Sequence, residues 1–333
     1  MGKSSSGLMR VAVALLLSAI LSSCAYKDLC YNHWEHSGKA RLSITMDWSC
    51  LSERPTGMTV MFFPKDGGAP LRHVTNDVDS VVLNLPPGTY NVLAFNQTVE
   101  EYESISFHDM DSWDDMYVSI ADGGKPGFSR EPAELMTGTE EDFVVTPDML
   151  NNPSPVPIEL TPHSIAVLTV IKVPVSGVQY ARAADGVISG MAKSFYLTRN
   201  CTGTGTTSFE LTDWTLIESN SLQSPKPGII SKSFVSFGLP GVQYVTEQSG
   251  DAAADVSPSQ NLTLYLDIPL IDMATTFSDT LDVSDSWSFP VDVYHMLIES
   301  EGIALPEVSG AGGGFDVSVD DWEEGNVENI EIK

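Results

Sequence analysis

Apolar and polar residues alternate with a period of two over much of this chain. From Arg41 to Trp48, the residues Leu42, Ile44, Met46 and Trp48 share one face and Arg41, Ser43, Thr45 and Asp47 the other. That pattern predicts a half-buried strand. Met58 to Phe63 is a second apolar run, ended by Pro64 and the turn signal Asp66-Gly67-Gly68. Ser80 to Leu85, Pro86-Pro87-Gly88 and Thr89 to Phe95 read as strand, tight turn and strand, which predicts a hairpin. Beyond residue 165, Val167, Thr169, Ile171 and Val173 alternate with Leu168, Val170 and Lys172 in a run apolar on both faces, as in a central strand. Ser194 to Thr198 and Phe234 to Gly238 are shorter candidates, and Asn261 to Ile268 places Leu262, Leu264, Leu266 and Ile268 inward. Phe315, Val317 and Val319 alternate with Asp316, Ser318 and Asp320, and Ile330-Glu331-Ile332 closes the chain.

No window holds a 3.6-residue period beyond about three turns, so long helices are not expected. Residues 97–158 change character: acids gather in Asp109-Met110-Asp111-Ser112-Trp113-Asp114-Asp115, and Asn151-Asn152-Pro153-Ser154-Pro155-Val156-Pro157 reads as a linker. The expected architecture is all-β, with two tandem antiparallel β-sandwich domains at 41–152 and 158–333. On that reading, proteases cut within 97–158 more readily than within the strand segments.

The amino terminus reads as an address. Lys3 and Arg10 precede the apolar run Val11 to Leu21, too short for a bilayer span and right for a secretory h-region, so residues 1–23 are expected to be a cleaved signal peptide. Leu21-Ser22-Ser23-Cys24 resembles the lipobox of bacterial lipoproteins, in which the Cys is acylated and becomes the new amino terminus. Cys24 is therefore the expected lipidation site, and residues 24–40 the tether. Several acyl chains, each buried CH₂ contributing about 0.8 kcal/mol, hold such a protein firmly on a membrane.

Charge narrows the function classes. The 333 residues carry 17 Lys and Arg against 45 Asp and Glu, a net charge of −28, and removal of residues 1–23 takes away two bases and no acid. Such a chain repels phosphate backbones, so nucleic-acid binding is excluded, and so is attraction to anionic lipid through a basic patch. Cys30, Cys50 and Cys201 leave the disulfide pairing open, a Cys30 to Cys50 bridge being one arrangement. Cys30, His33, Glu35 and His36 are competent metal ligands, but they lie in the tether, and no metal site or cofactor is expected. Asp109, Asp111, Asp114 and Asp115 lack the order of a calcium loop and read as solvated, as does Asp320-Asp321-Trp322-Glu323-Glu324. Gly-x-Ser-x-Gly and His-Glu-x-x-His are absent, and His73, His108, His163 and His295 read as surface or strand-end residues, so no catalytic residues are assigned. Asp79-Ser80-Val81 and Asp279-Thr280-Leu281 resemble a short O-glycosylation sequon.

Several strings, taken in order, carry a family resemblance. Lys27-Asp28-Leu29-Cys30 after Cys24, then Met46-Asp47-Trp48, then Pro55 to Pro64, then Leu85 to Asn96, resemble the fimbrillin-associated anchor and tip lipoproteins of Bacteroides-type bacteria, and a related lipoprotein domain of unassigned function. Ile188 to Ala192 and Gly313 to Trp322 are similar to the second half of that group. The resemblance implies transthyretin-like sandwiches, an outer-membrane lipid anchor, fimbrial subunits as partners, a host or bacterial surface ligand, and no catalytic residues. An equivalent of the Arg at which polymerising fimbrillins are trimmed is not evident, which favours an anchor. The expected function is a non-enzymatic, surface-exposed fimbrial anchor, tip or assembly subunit in cell adhesion. Its alternative is a glycan-binding lipoprotein of a polysaccharide-uptake system, with Trp113, Trp214, Trp287 and Trp322 stacking on sugar rings. Val327, Ile330 and Ile332, in the segment Asn326 to Lys333, are the candidate partner-binding residues, with Glu328 and Glu331 discouraging wrong strands by charge.

Overall fold

A computed structural model describes residues 38–51, 54–244, 261–292 and 294–308. Every regular element among them is a strand or a short 3-10 turn, and the strands form five sheets. The first sandwich faces a three-stranded sheet against a five-stranded one. Strands β1 (Ala40–Met46), β4 (Val81–Leu85) and β9 (Val156–Leu160) make the smaller sheet, in the order β4-β1-β9. The larger contains β2 (Met58–Pro64), β3 (Leu71–Thr75), β5 (Gly88–Asn96), β8 (Met136–Val145) and β10 (His163–Ser164), in the order β10-β8-β5-β2-β3. As the alternation predicts, Leu42, Ile44 and Met46 point inward, where they meet Val60, Phe62, Val92 and Ala94. Trp48 stays buried after the strand ends, its indole N–H donating to the Val78 carbonyl at 2.8 Å.

The hairpin expected at 80–95 does not form. β4 pairs with β1 in one sheet, and β5 pairs with β2 and β8 in the other. Pro86-Pro87-Gly88 is thus a corner between layers, closed by a hydrogen bond from the Tyr90 hydroxyl to the Pro86 carbonyl. Two consecutive prolines remove two ladder donors, and strand periodicity alone cannot tell a hairpin from a crossover.

The second sandwich faces a six-stranded sheet against a bent pair of four-stranded sheets. The first contains β11 (Val167–Ser176), β16 (Thr215–Glu218), β17 (Pro227–Ser236), β20 (Trp287–Ser288), β21 (His295–Glu299) and β22 (Ile303–Ala304). β11 lies centrally, antiparallel to β17 and parallel to β21 and β22. Its inner face is fully buried, but Leu168 on the outer face is 40% exposed, so the run apolar on both faces covers only one core. In the opposing layer, β12 (Asp185–Ala192) pairs with β15 (Thr206–Leu211) and β18 (Thr263–Pro269), and β18 with β19 (Thr276–Asp282). Leu262, Leu264, Leu266 and Ile268 are completely buried, as read from the sequence.

One residue after β12, β13 (Ser194–Tyr196) continues the layer and pairs with β14 (Cys201–Thr202) on one side. On its other side lies β7 (Tyr117–Ile120), itself paired with β6 (Ile105–His108). Residues 97–158, where the sequence changes character, therefore contain β6, β7, β8 and the start of β9. The acidic stretch Asp109–Asp115 is only the turn joining β6 to β7, with Ser112 accepting from the Asp115 amide at 3.2 Å. The stretch read as a linker runs straight into β9, which lies parallel to β1. Pro157 is compatible with a strand there because β9 is a sheet edge.

The insertion from β5 to β8 is pinned at its neck by Asn96. Its side-chain amide donates to the Glu134 carbonyl at 3.0 Å and its side-chain carbonyl accepts from the Met136 amide at 2.8 Å. At the far end, His108 stacks on Tyr117 with ring centroids 4.5 Å apart, Tyr117 meets Tyr196 at 5.4 Å, and the Arg199 guanidinium lies 3.9 Å over Tyr196. This row ties the hairpin to β13. The central strands β2 and β5 of the larger sheet are consequently buried on both faces. Met61, Phe63, Leu93 and Phe95 point away from their own sandwich into one continuous core with Ile105, Val118, Phe195 and Ile171.

Candidate partner-binding edge

β3 and β4 are edge strands of the two sheets of the first sandwich. Leu71, Arg72, His73 and Val74 are exposed, so among the described residues neither face of β3 is covered. On β4, Val81 and Leu85 are buried whereas Leu83, on the same face, is only half-buried, and Val82 is exposed on the other. Leu71 and Val74, on opposite faces of β3, and Val82, on the outer face of β4, are thus apolar side chains exposed on two edge strands.

The hydrogen-bond alternation fixes which groups β3 leaves free. Gln97 donates its amide to the Gly57 carbonyl at 2.6 Å and Lys65 to the Thr89 carbonyl at 2.9 Å. These flank the β2–β5 ladder, so β2 bonds β5 through Thr59, Met61 and Phe63 and bonds β3 through Met58, Val60 and Phe62. Their partners on β3 are Thr75, His73 and Leu71. Arg72 and Val74 therefore turn their backbone N–H and C=O outward, to an edge where no described strand pairs with them. The Arg72 guanidinium is held by Glu100 at 3.1 Å, which keeps the Glu100 carboxyl below its usual range. An unpaired edge with this arrangement can accept another strand through main-chain bonds.

Chemistry of other kinds is not assembled among the described residues. No group of three or more His, Cys, Asp or Glu side chains is placed to hold a metal. A cavity of about 550 Å³ opens where β1 and β9 end, lined by Thr45, Asp47, Ser49 and Glu159 among others. The Asp47 carboxylate there accepts from the Ser49 amide at 3.0 Å, which lowers its pKa. The Cys201 thiol is free and burial raises its pKa, the opposite of an activated nucleophile. His73 lies on β3, and His295 bonds Asp292 at 2.6 Å.

His163 is half-buried and 3.2 Å from the Thr137 hydroxyl. Burial lowers its pKa, against a smaller opposing effect of a backbone bond at Thr161. The unfolded chain then binds the extra proton first, so His163 erodes stability as pH falls below the ordinary histidine range, towards its lowered folded value. Melting curves from pH 7 down to 5 are expected to show a smaller loss of Tm for His163→Gln than for the parent protein. An equal loss would remove His163 from the account.

The tryptophans considered for sugar stacking are packed inside. Trp214 is 7% exposed, Trp113 packs on Phe63 at 5.4 Å, and Trp287 packs against the second core with its indole N–H on the Ser284 carbonyl. Trp322, the lipidation candidate Cys24 and the partner-binding candidates Val327, Ile330 and Ile332 lie outside the described residues, as does Cys30. Sequence reasoning missed β3 altogether. Its one signal was the turn at Asp66-Gly67-Gly68, which returns the chain antiparallel to β2.

The domain of unknown function DUF5119 matches residues 23–211, more than half of the sequence, and the chain belongs to that family. No curated protein matches it. Among solved structures, a Bacteroides ovatus protein provisionally described as an adhesin is similar at 16% identity and a TM-score of 0.57, covering 86% of this chain and 98% of the other. That likeness shows a shared fold. The fimbrial anchor protein Mfa2 from Porphyromonas gingivalis aligns at 10% identity and a TM-score of 0.47, over 79% of this chain and 90% of that one. The tip fimbrial protein Mfa3 from the same organism, truncated at its carboxyl end, aligns at 10% identity and 0.35, over 76% and 83%.

Proposed function

We propose that this protein is a non-enzymatic, cell-surface fimbrial subunit of anchor, tip or assembly type, held on the outer membrane by an acylated Cys24. The observation that carries the reading is the outer edge of β3, which no described strand covers and where a partner's strand would complete the sheet. The fold shared with the Bacteroides ovatus protein supports an adhesive role. Val327, Ile330 and Ile332 are proposed as a second point of contact with neighbouring subunits.

Val74→Pro tests the edge. Proline removes a donor that faces outward and leaves the β2–β3 bonds of Leu71, His73 and Thr75 in place. The variant is expected to stay folded and membrane-bound and to lose fimbriae from the cell surface. Normal fimbriation with a stable Val74→Pro protein would reject strand addition at this edge. Cys24→Ala is expected to move the protein from the membrane fraction to the soluble one, and unchanged fractionation would remove the lipid anchor from the proposal.

A further inference from the structure

β11 leaves the junction of the two sandwiches at Val167 and runs for ten residues, about 30 Å, to Ser176. At that far end the chain makes a 3-10 turn, Val178–Tyr180, which bridges the two layers. On one side, Gly177 and Val178 donate their amides to the Lys226 carbonyl, which fixes the loop between β16 and β17. On the other, Ile271 donates to the Tyr180 carbonyl, which fixes the hairpin between β18 and β19. Two loops, one from each sheet, are thereby mounted on a common support.

Both loops present apolar side chains to solvent. Leu222, between β16 and β17, is fully exposed, and Met273, in the β18–β19 hairpin, is 67% exposed. Ile217, on β16, is 50% exposed. Met273 has φ +57°, a left-handed conformation that Gly or Asn adopts at lower cost. The turn enforces it: Met273 donates its amide to the Leu270 carbonyl, and Asp272 accepts from the amides of Ala274 and Thr275 and from the Thr275 hydroxyl. Nothing in the packing of the core requires a methionine there.

The charge around these side chains indicates what they meet. Glu218 of β16, Asp272 of the β18–β19 hairpin, and Asp185 and Asp267, paired where β12 and β18 meet at this end, stand against Lys226 and Arg182, and the Lys226 ammonium is already held by Glu218 at 3.3 Å. An acidic rim around apolar tips repels an anionic membrane and fits a protein surface in which an apolar pocket is bordered by Lys or Arg. We infer that Leu222 and Met273, mounted on the Val178–Tyr180 turn, form a protein-docking tip for such a pocket. This tip is separate from the β3 edge, and its use does not depend on strand addition there.

A photo-reactive benzoylphenylalanine placed at position 222, in cells that make the full chain, tests the inference. Irradiation is expected to give an adduct with a second protein, joined within an apolar stretch flanked by Lys or Arg. Adding Met273→Asn is expected to cut the adduct about tenfold, as loss of one contact of ~1.4 kcal/mol does, while Tm stays level or rises because Asn relieves the left-handed strain. Val74→Pro is expected to leave the adduct unchanged, which separates failure of the tip from failure of the edge. An adduct with lipid, an adduct with another copy of this chain, no adduct, or one indifferent to Met273→Asn would overturn the inference.

Discussion

Phe195→Ala is expected to destabilise the whole protein by about 3–5 kcal/mol, the usual cost of removing a buried aromatic ring. Phe195 is 1% exposed, lies within 6.0 Å of the Phe237 ring and 5.9 Å of the Tyr244 ring, and sits opposite Val118 of β7 on one side and Thr202 of β14 on the other. Burial raises the Tyr244 pKa, and its hydroxyl donates to the Phe237 carbonyl, so the ring cannot easily turn to fill the space. The effect reaches further than the second sandwich, because β7 belongs to the insertion whose neck is Asn96 and shares a core with Phe63 and Phe95. Unfolding is expected to remain a single transition, with melts followed by tryptophan fluorescence and by far-UV circular dichroism coinciding and Tm lowered by roughly 10 °C. Two separated transitions, with the variant shifting only the second, would show that the shared core does not couple the halves.

What could be read from the sequence follows from the distance over which each feature is determined. β1 and β18 declare themselves, since one buried face and one polar face are written in consecutive residues: Leu42, Ile44 and Met46 in the first, Leu264, Leu266 and Ile268 in the second. The pairing of successive strands is not local in this way. Residues 81–85 and 88–96 have faultless strand patterns, yet each finds its partners in a different layer, and only the packing of β1 and β2 decides that. β6 and β7 were hidden for another reason. Four residues each, separated by an acidic turn, they gain their stability from β13, which is some 75 residues away in sequence. The candidate edge was illegible because β3 is exposed on both faces, so no hydrophobic period marks it. Its significance is that it has no neighbour among the described strands, and a sequence does not record which strand ends up last in a sheet.

Gly190→Ala is expected to have a comparably large effect and to act through the backbone alone. Gly190 sits in β12 where the register with β15 shifts between Ser189 and Met191, an irregularity that lets one extra residue swell out of the strand. It has φ +94°, which L side chains rarely adopt. A Cβ added there would lie 2.2 Å from the Asn261 carbonyl oxygen and 3.1 Å from its carbon. The first of these is far inside contact distance, and the obstacle is main chain rather than the movable end of a side chain. Relief would require Asn261 to retreat, but Leu262 next to it is fully buried and its amide is held by the Ser284 hydroxyl at 3.1 Å. The bulge would otherwise have to flatten, which would slip Met191 and Ala192, both fully buried, relative to Thr207 and Thr206 and reverse the faces they present. Strain of the left-handed conformation alone costs about 1–2 kcal/mol, and the backbone clash adds to it, so a loss of at least ~3 kcal/mol or failure to accumulate folded protein is expected. Gly205→Ala, at a glycine with open space around its Cβ position and in the same β13–β15 region, is the control and is expected to leave Tm nearly unchanged. Equal melting of the Gly190→Ala and Gly205→Ala proteins would show that the bulge is dispensable to the packing of β12 against β18.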